Sequence, residues 1–316
     1  MTSLILNRAL QAIPTFVLVS LVVFGLLAVT PVDPARMALS GGVGGVQLDE
    51  RDVEAKRVEL GLDRSLPERY IRWWGDLIQF DFGRSFASGR PVAALLAERL
   101  PASVALGLLA LLVSVAISLP IGILSALRAG GMLDQTARVC ALLGASLPGF
   151  WLALIVMWVF AVQLKWVPAL GSFTPLGIIL PVLVLAVRPM GRQLRLMRAT
   201  TLDALAMDHL TVARAKGLAR GAIIRRHVVP NAIVPLVTIV GLDLPALVSS
   251  AVIVEFVFAW PGIGRLAADA ALAGDAPVLM AFVLLVGVLV VASSFAVDVL
   301  SGTIDPRQRL GARAAT

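Results

Sequence analysis

The chain has 316 residues, of which 59% are hydrophobic and only 15% charged, with a formal net charge of +7. A soluble domain carries about a quarter charged residues, so this composition suits a polytopic membrane protein. Basic residues beside long apolar runs, with few interleaved aromatics, argue against nucleic acid, while a single cysteine (Cys140) and two histidines (His209 and His227) leave no disulfide and little for a metal centre.

About 20 apolar residues cross a hydrocarbon core, and six windows qualify. The first runs from about Ala9 to Thr30. Arg8 precedes it as in a signal peptide, but the apolar run is too long and no small-x-small site follows before Pro31. A retained anchor is expected. Residues 31–101 then form the longest polar segment, with 11 acidic and 10 basic residues. Within it "ERDVEAKRVELGL" predicts a short charged helix and "RYIRWWGDLIQF" an amphipathic one. Trp73 and Trp74 suit a membrane interface, or else a small solvated cap packed on itself.

The second window spans about Ser103 to Leu127, the third about Arg138 to Leu164 and the fourth about Leu176 to Met197. Trp151 and Trp158, seven apart in the third, fit helix packing or interface anchoring. Arg188, before Pro189, is placed to snorkel toward the inner interface. The segment Arg188 to His227 carries nine Arg and Lys against Asp203 and Asp208. Residues Leu202 to Lys216 favour a helix with an apolar strip of Leu205, Leu210, Val212 and Ala213. Gly217 breaks it as a left-handed cap glycine does. A second piece, with Ile223 and Ile224 apolar and Arg220, Arg225 and Arg226 polar, runs into Pro230 and the fifth window, about Val228 to Phe258. Two short helices at an angle, continuous with a membrane span, suit a mechanical contact with another protein. An ordinary basic loop on anionic lipid is the alternative.

Asp243 lies 15 residues after Val228, about 22 Å along the fifth helix at ~1.5 Å per residue. A carboxylate at that depth faces the bundle interior or water. Two readings stand: a negative site on a translocation path for a cationic group such as an amino terminus, or a structural hydrogen bond to a neighbouring helix. "AWPGIG", Ala259 to Gly264, is a breaker-rich turn. With Glu255 before it and Trp260 within it, it reads as an outer gate or docking surface, or as plain turn chemistry. The sixth window runs from about Pro277 to Ile304, and Arg307, Arg309 and Arg313 follow against Asp305. Prolines at 120, 148, 181, 189, 235 and 245 predict kinked helices around a pathway. The Lys/Arg bias puts both termini and the 198–227 loop in the cytoplasm and residues 31–101 outside.

No G-x-x-x-x-G-K-[ST] stretch is present, so no phosphate-cradling loop lies in this chain. Mid-span acids are few and no internal repeat is evident, which weakens the alternative of an ion- or proton-coupled secondary transporter. Both histidines fall in the cytoplasmic loop, against an intramembrane protease.

Gly217, nine residues and then His227-Val228-Val229-Pro230 resemble the E-A-A-x3-G-x9-I-x-L-P signature of bacterial ABC importer permeases. Thr211-Val212-Ala213 stand in place of Glu-Ala-Ala, and His227 and Val229 in place of Ile and Leu. The stretches "ELGLDRSLPERYIRWW", "FGRSFASGRPVAALLAERLPAS", "SLPGFWLAL", "ARAKGL" and "AVIVEFVFAWPGIGRL", with the tripeptide Asp305 to Arg307, narrow the resemblance to the dipeptide, oligopeptide and nickel permease family, over essentially the whole chain.

That resemblance implies an all-α polytopic membrane protein with six transmembrane helices in the type I ABC importer permease fold. Its parts would be an N-terminal helix (1–30), an extracytoplasmic insert with short amphipathic helices (31–101) and a five-helix core (102–316) with a cytoplasmic coupling loop (198–227). It implies a transport subunit of a bacterial inner membrane rather than an enzyme. The expected partners are a homologous second permease, two ATP-binding cassette subunits holding ATP and Mg, and an extracytoplasmic substrate-binding protein; no cofactor is expected in this chain. Coupling to the ATPase would fall on Thr211, Val212, Ala213, Arg214, Ala215, Lys216, Gly217, Leu218 and Pro230. The implied cargo is a di- or oligopeptide, or a related small solute such as a nickel chelate or glutathione.

Overall fold

A computed structural model describes residues 2–29, 33–40, 48–168, 174 and 176–304, with side chains at all of these but 2–12, 27, 245 and 297–304. The tripeptide Asp305 to Arg307, together with Arg309, Arg313, Thr30 and Pro31, lies outside the described residues.

Backbone groups in a low-dielectric surrounding must be satisfied internally, and apolar runs of this length do so as helices. Each predicted window falls on one. The first lies on α1 (Thr2–Val29), the second on α5 (Val92–Leu127), and the fourth mostly on α8 (Ile179–Leu205). The fifth lies on α11 (Val229–Val257) and the sixth on α13 (Ala276–Ile304). The third differs from expectation. It is two helices, α6 (Met132–Ser146) and α7 (Gly149–Met157), the latter running on as a π-helical turn to Gln163, bent by 108°. The cause is local: Pro148 excludes the helical conformation from the residue before it, and Leu147 is extended at ψ 132. A proline expected to kink one span divides it instead. Among the described residues, three helices are long and apolar enough to cross a membrane, and the bent pair would make a fourth. Helix α8 has the length at 27 residues, but it carries arginines along its middle.

The described chain clusters into two compact units, residues 1–104 with 259–291, and residues 105–258 with 292–316. In the first, three short helices precede α5: α2 (Pro34–Ser40), α3 (Glu50–Glu59) and α4 (Leu66–Ile78). A capping box of Ser65 and Glu68 starts α4, and Pro67 supports its first turn. Tyr70 of α4 packs on Phe24 of α1 with ring centroids 5.3 Å apart, and Trp73 stacks on Tyr70 at 6.1 Å. The Tyr70 hydroxyl also lies 2.9 Å from Ser20 Oγ. The amphipathic helix therefore turns its aromatics onto α1. Between α2 and α3, Asp33 accepts from Arg57 at 2.6 Å. Burial pushes the Asp33 carboxyl up, but the Arg57 guanidinium and the Ala35 N–H outweigh it and hold it below its ordinary value.

The same unit contains α12 (Ile263–Ala273), whose Ile263 and Ala270 pack with Val92, Leu96 and Val278. Asp275, almost fully buried, accepts from Ser85 Oγ at 2.5 Å and from the N–H groups of Phe86 and Ala87 at 3.1 and 3.3 Å. One carboxylate thereby anchors the polar loop before α5 to the start of α13.

In the second unit, α8 is the central helix. Gly191 lets it meet α6 backbone to backbone, since a Cβ there would sit 2.8 Å from the Ala141 carbonyl oxygen. Thr200 Oγ1 donates to the Ala232 carbonyl of α11 at 2.9 Å. Below these contacts Met197, Leu210, Ile223, Val228 and Leu236 form one buried apolar cluster.

Candidate translocation and coupling sites

Helix α8 has 3.6 residues per turn, so Arg188, Arg192 and Arg195 fall on one face. All three are exposed, while Pro189, Gly191, Gln193 and Leu194 between them are buried. On insertion scales an arginine at mid-membrane costs roughly 2.5–3.5 kcal/mol, so three on one face require water or protein opposite, not lipid. Opposite them is α11. Asp243, fully buried, pairs through Oδ1 with Arg192 and accepts from Gln193 Nε2 through Oδ2 at 2.7 Å. Gln193 is itself oriented by Ser118 Oγ, which donates to its amide oxygen at 3.0 Å. Arg188, Arg192, Arg195 and Asp243 line a cavity of about 380 Å³ beside Gly149 and Ser250.

Six residues further along α8, a second pair is closed. Arg198 grips Asp134 of α6 with both Nε and Nη2, at 2.6 and 2.8 Å. Ser125 Oγ donates to the same carboxylate at 2.5 Å, and the Gly130 N–H does so at 2.9 Å. The carboxylate thus has a partner on every side, as a buried charge requires. Sequence reasoning missed this cluster, and missed Gln193 and Ser118 too. The available signal was a set of serines inside α5 (Ser114, Ser118 and Ser125), all fully buried and hydrogen bonded.

The predicted helix from Leu202 to Lys216 is divided. Helix α8 ends at Leu205, Met207 is extended, and α9 (Asp208–Ala215) begins afresh with Asp208 in its first turn, where a negative charge favours a helix start. The buried strip is Leu210 and Ala213; Val212 points the other way and is 56% exposed. Gly217 adopts φ +76, the left-handed corner the sequence predicts. Beyond it α10 (Arg220–Ile223) continues through a π-helical turn, Ile224–Val228, into α11, with Pro230 in that helix's first turn. Thr211, Val212, Arg214, Ala215, Lys216, Gly217, Leu218 and Pro230 are exposed, and Ala213 is buried.

Glu255, late in α11, is fully buried. In the other unit Trp260 is buried and donates Nε1–H to the Ala102 carbonyl at 3.1 Å, while Ser103 Oγ accepts from the Ile263 N–H at 2.8 Å. Ala259 takes a positive φ of 53, and its carbonyl accepts from Arg265 at 2.6 Å. Among the described residues, no group of three or more His, Cys, Asp or Glu could hold a metal ion.

Among the described residues, long apolar helices, a span divided at a proline and buried carboxylates paired with arginines define, as a class, a polytopic membrane protein. The family described as "Binding-protein-dependent transport system inner membrane component" matches residues 118–310, and its N-terminal counterpart matches residues 1–107. The chain belongs to this family and is the permease, a transport subunit rather than an enzyme. It is 35% identical to the glutathione transport system permease protein GsiC of Pectobacterium atrosepticum, covering 98% of this chain and 99% of that one. It is 33% identical to the oligopeptide transport system permease protein AppB of Bacillus subtilis, over 97% and 99%. Its fold resembles a solved chain of the MetNI methionine ABC transporter, in an inward-facing conformation, with a TM-score of 0.57 at 21% identity. That likeness covers 67% of this chain and 97% of the other.

Proposed function

We propose that this chain forms half of the translocation pathway of an ATP-driven importer for di- or oligopeptides or a related small solute such as glutathione or a nickel chelate. The cargo class rests on relatives named for oligopeptide and glutathione transport. The observation that carries the mechanism is the corner at Gly217. It joins α9 to α10 and displays Val212, Arg214, Lys216 and Leu218 outward, while Leu210, Ala213 and Ile223 root the corner in the core shared with α11. A push on that surface is transmitted to a spanning helix. Residues 211–218, with Pro230, are the coupling surface for ATP-binding subunits that hold ATP and Mg, two of them per complex. A homologous second permease completes the pathway, and an extracytoplasmic binding protein delivers the solute.

In this reading residues 1–30 anchor the chain in a bacterial inner membrane and residues 31–101 form an outer insert. Residues 102–316 are the core, whose 198–227 loop and both termini face the cytoplasm. Asp243 lines the pathway, and Glu255 and Trp260 belong to its outer gate.

Vesicles carrying this chain with all its partners test the proposal. They are expected to take up trialanine when ATP is supplied, and vesicles lacking this chain are not. Reporters fused after Leu60 and after Gly217 are expected on opposite sides of the membrane. ATP hydrolysis by the purified chain alone, or both reporters on one side, overturns the reading.

A further inference from the structure

The exposed arginine face of α8 has more positive charge than its surroundings neutralise. Arg188, Arg192 and Arg195 line the cavity with one carboxylate, that of Asp243. Asp243 is ion-paired with Arg192 on the side of Oδ1, which has no hydrogen-bond donor, and accepts through Oδ2 from Gln193, whose orientation is fixed in turn by Ser118. Among the described residues neither Arg188 nor Arg195 has an acidic partner. Two guanidinium groups without an acidic partner, about two helical turns apart along α8, therefore flank the Asp243–Arg192 pair on an exposed face with a mostly apolar lining.

We propose that this face binds the carboxylate end of the transported solute, with Arg188 and Arg195 as the cationic contacts and the Asp243–Arg192 pair between them. The proposal rests on the importer reading and adds to it the end of the cargo that the pathway recognises.

The argument is one of chemistry and geometry. A guanidinium offers paired N–H donors that match a carboxylate, and both the charge and the fork geometry favour that partner. An ammonium group would meet three guanidinium groups here and a single carboxylate that is already ion-paired with Arg192 and bonded by Gln193, whereas a carboxylate meets Arg188 and Arg195 with no acid paired to them. The cavity, about 380 Å³, sits at the small end of the range for small-molecule sites, enough for one terminus rather than a whole long peptide. Its remaining lining is apolar apart from Ser250.

The experiment compares uptake of trialanine and trialanine amide by vesicles containing the complete importer. The wild type is expected to favour the free acid by about tenfold, the scale of one charge-assisted contact. Arg188→Gln and Arg195→Gln each shrink that ratio, and the double variant brings it to about one. Arg195→Lys, which keeps the charge, restores part of it. Equal wild-type uptake of acid and amide, or Gln variants that leave the ratio intact, overturns the proposal. Co-purification of the ATP-binding subunits separates failed assembly from lost recognition.

A second arm does not depend on transport. In the purified complex, a guanidine-directed reagent is scored by mass spectrometry at Arg188 and Arg195. Protection by trialanine and not by its amide supports the carboxylate site, even if wild-type vesicles take up neither peptide and the cargo reading fails. Protection by phosphatidylglycerol vesicles or inorganic phosphate, with none from trialanine, assigns the face to lipid phosphate and overturns it. So does equal reactivity under every condition.

Discussion

Two ion pairs on α8, six residues apart, have opposite designs. Arg198, 22% exposed, meets Asp134 with two nitrogens, and Ser125, Gly130 and, at 3.7 Å, Arg138 complete the shell. Arg192, 49% exposed, reaches Asp243 from a cavity, and its neighbours Arg188 and Arg195 have no acid opposite them. The same helix thus carries a saturated charge pair that fixes α6 against α8 and an open one that faces the space between α8 and α11. A carboxylate in a low dielectric is costly to leave alone, so a fully surrounded pair resists change. An open pair can exchange partners. The first holds α6 against α8; the second belongs to the pathway in the reading proposed above.

The largest expected effect comes from breaking the closed pair. Arg198→Gln leaves the Asp134 charge with Ser125, Gly130 and a single longer contact from Arg138 at 3.7 Å, and assembled complex is expected to fall about tenfold, as for other buried charges that lose their main partner. Detergent-extracted yield and thermal unfolding measure it. A near-normal yield would erase the contrast.

The next effect lies outside both pairs. Gly217→Val forces a β-branched residue into φ +76 with open space around it, so the strain is purely conformational. Uptake is expected to fall about tenfold, since a β-branched residue is a clear outlier at positive φ, while membrane insertion persists. Wild-type uptake together with wild-type co-purification of the ATP-binding subunits would show that the corner is dispensable.

The smallest belongs to a neutral hydrogen bond in the other unit. Trp260→Phe removes the N–H donated to Ala102 from a fully buried ring and is expected to cost about 1–3 kcal/mol, below the loss from the charged cluster. Unfolding midpoints of the two variants, measured side by side, rank neutral against charged contacts.

The sequence made some of this legible for simple reasons. Apolar runs in α5 and α13 allow only a helix, and Gly217 followed by Leu218 and Ala219 marks a left-handed corner because few residues tolerate one. Asp243 stood out as the mid-span acid of a long apolar window, with Glu255 nearer its end. What escaped depends on packing between distant segments. Asp134 and Arg198 are 64 positions apart, and only the crossing of α6 and α8 at Gly191 brings them together. Pro148 was visible, but a proline alone does not tell a kink from a 108° break; that depends on what the freed ends pack against. Met207 divides a helix that propensity would have continued, because Leu210 and Ala213 gain more by turning into the core under α11.

The most direct test normalises uptake to assembled complex for two matched variants, Asp134→Asn and Asp243→Asn. Each keeps the shape of its side chain and removes its charge. The account predicts that Asp134→Asn yields fewer complexes that each transport at the wild-type rate. It predicts that Asp243→Asn yields normal numbers of complexes with reduced uptake per complex. The same pattern for both variants, or the two patterns exchanged, would contradict the division of labour along α8.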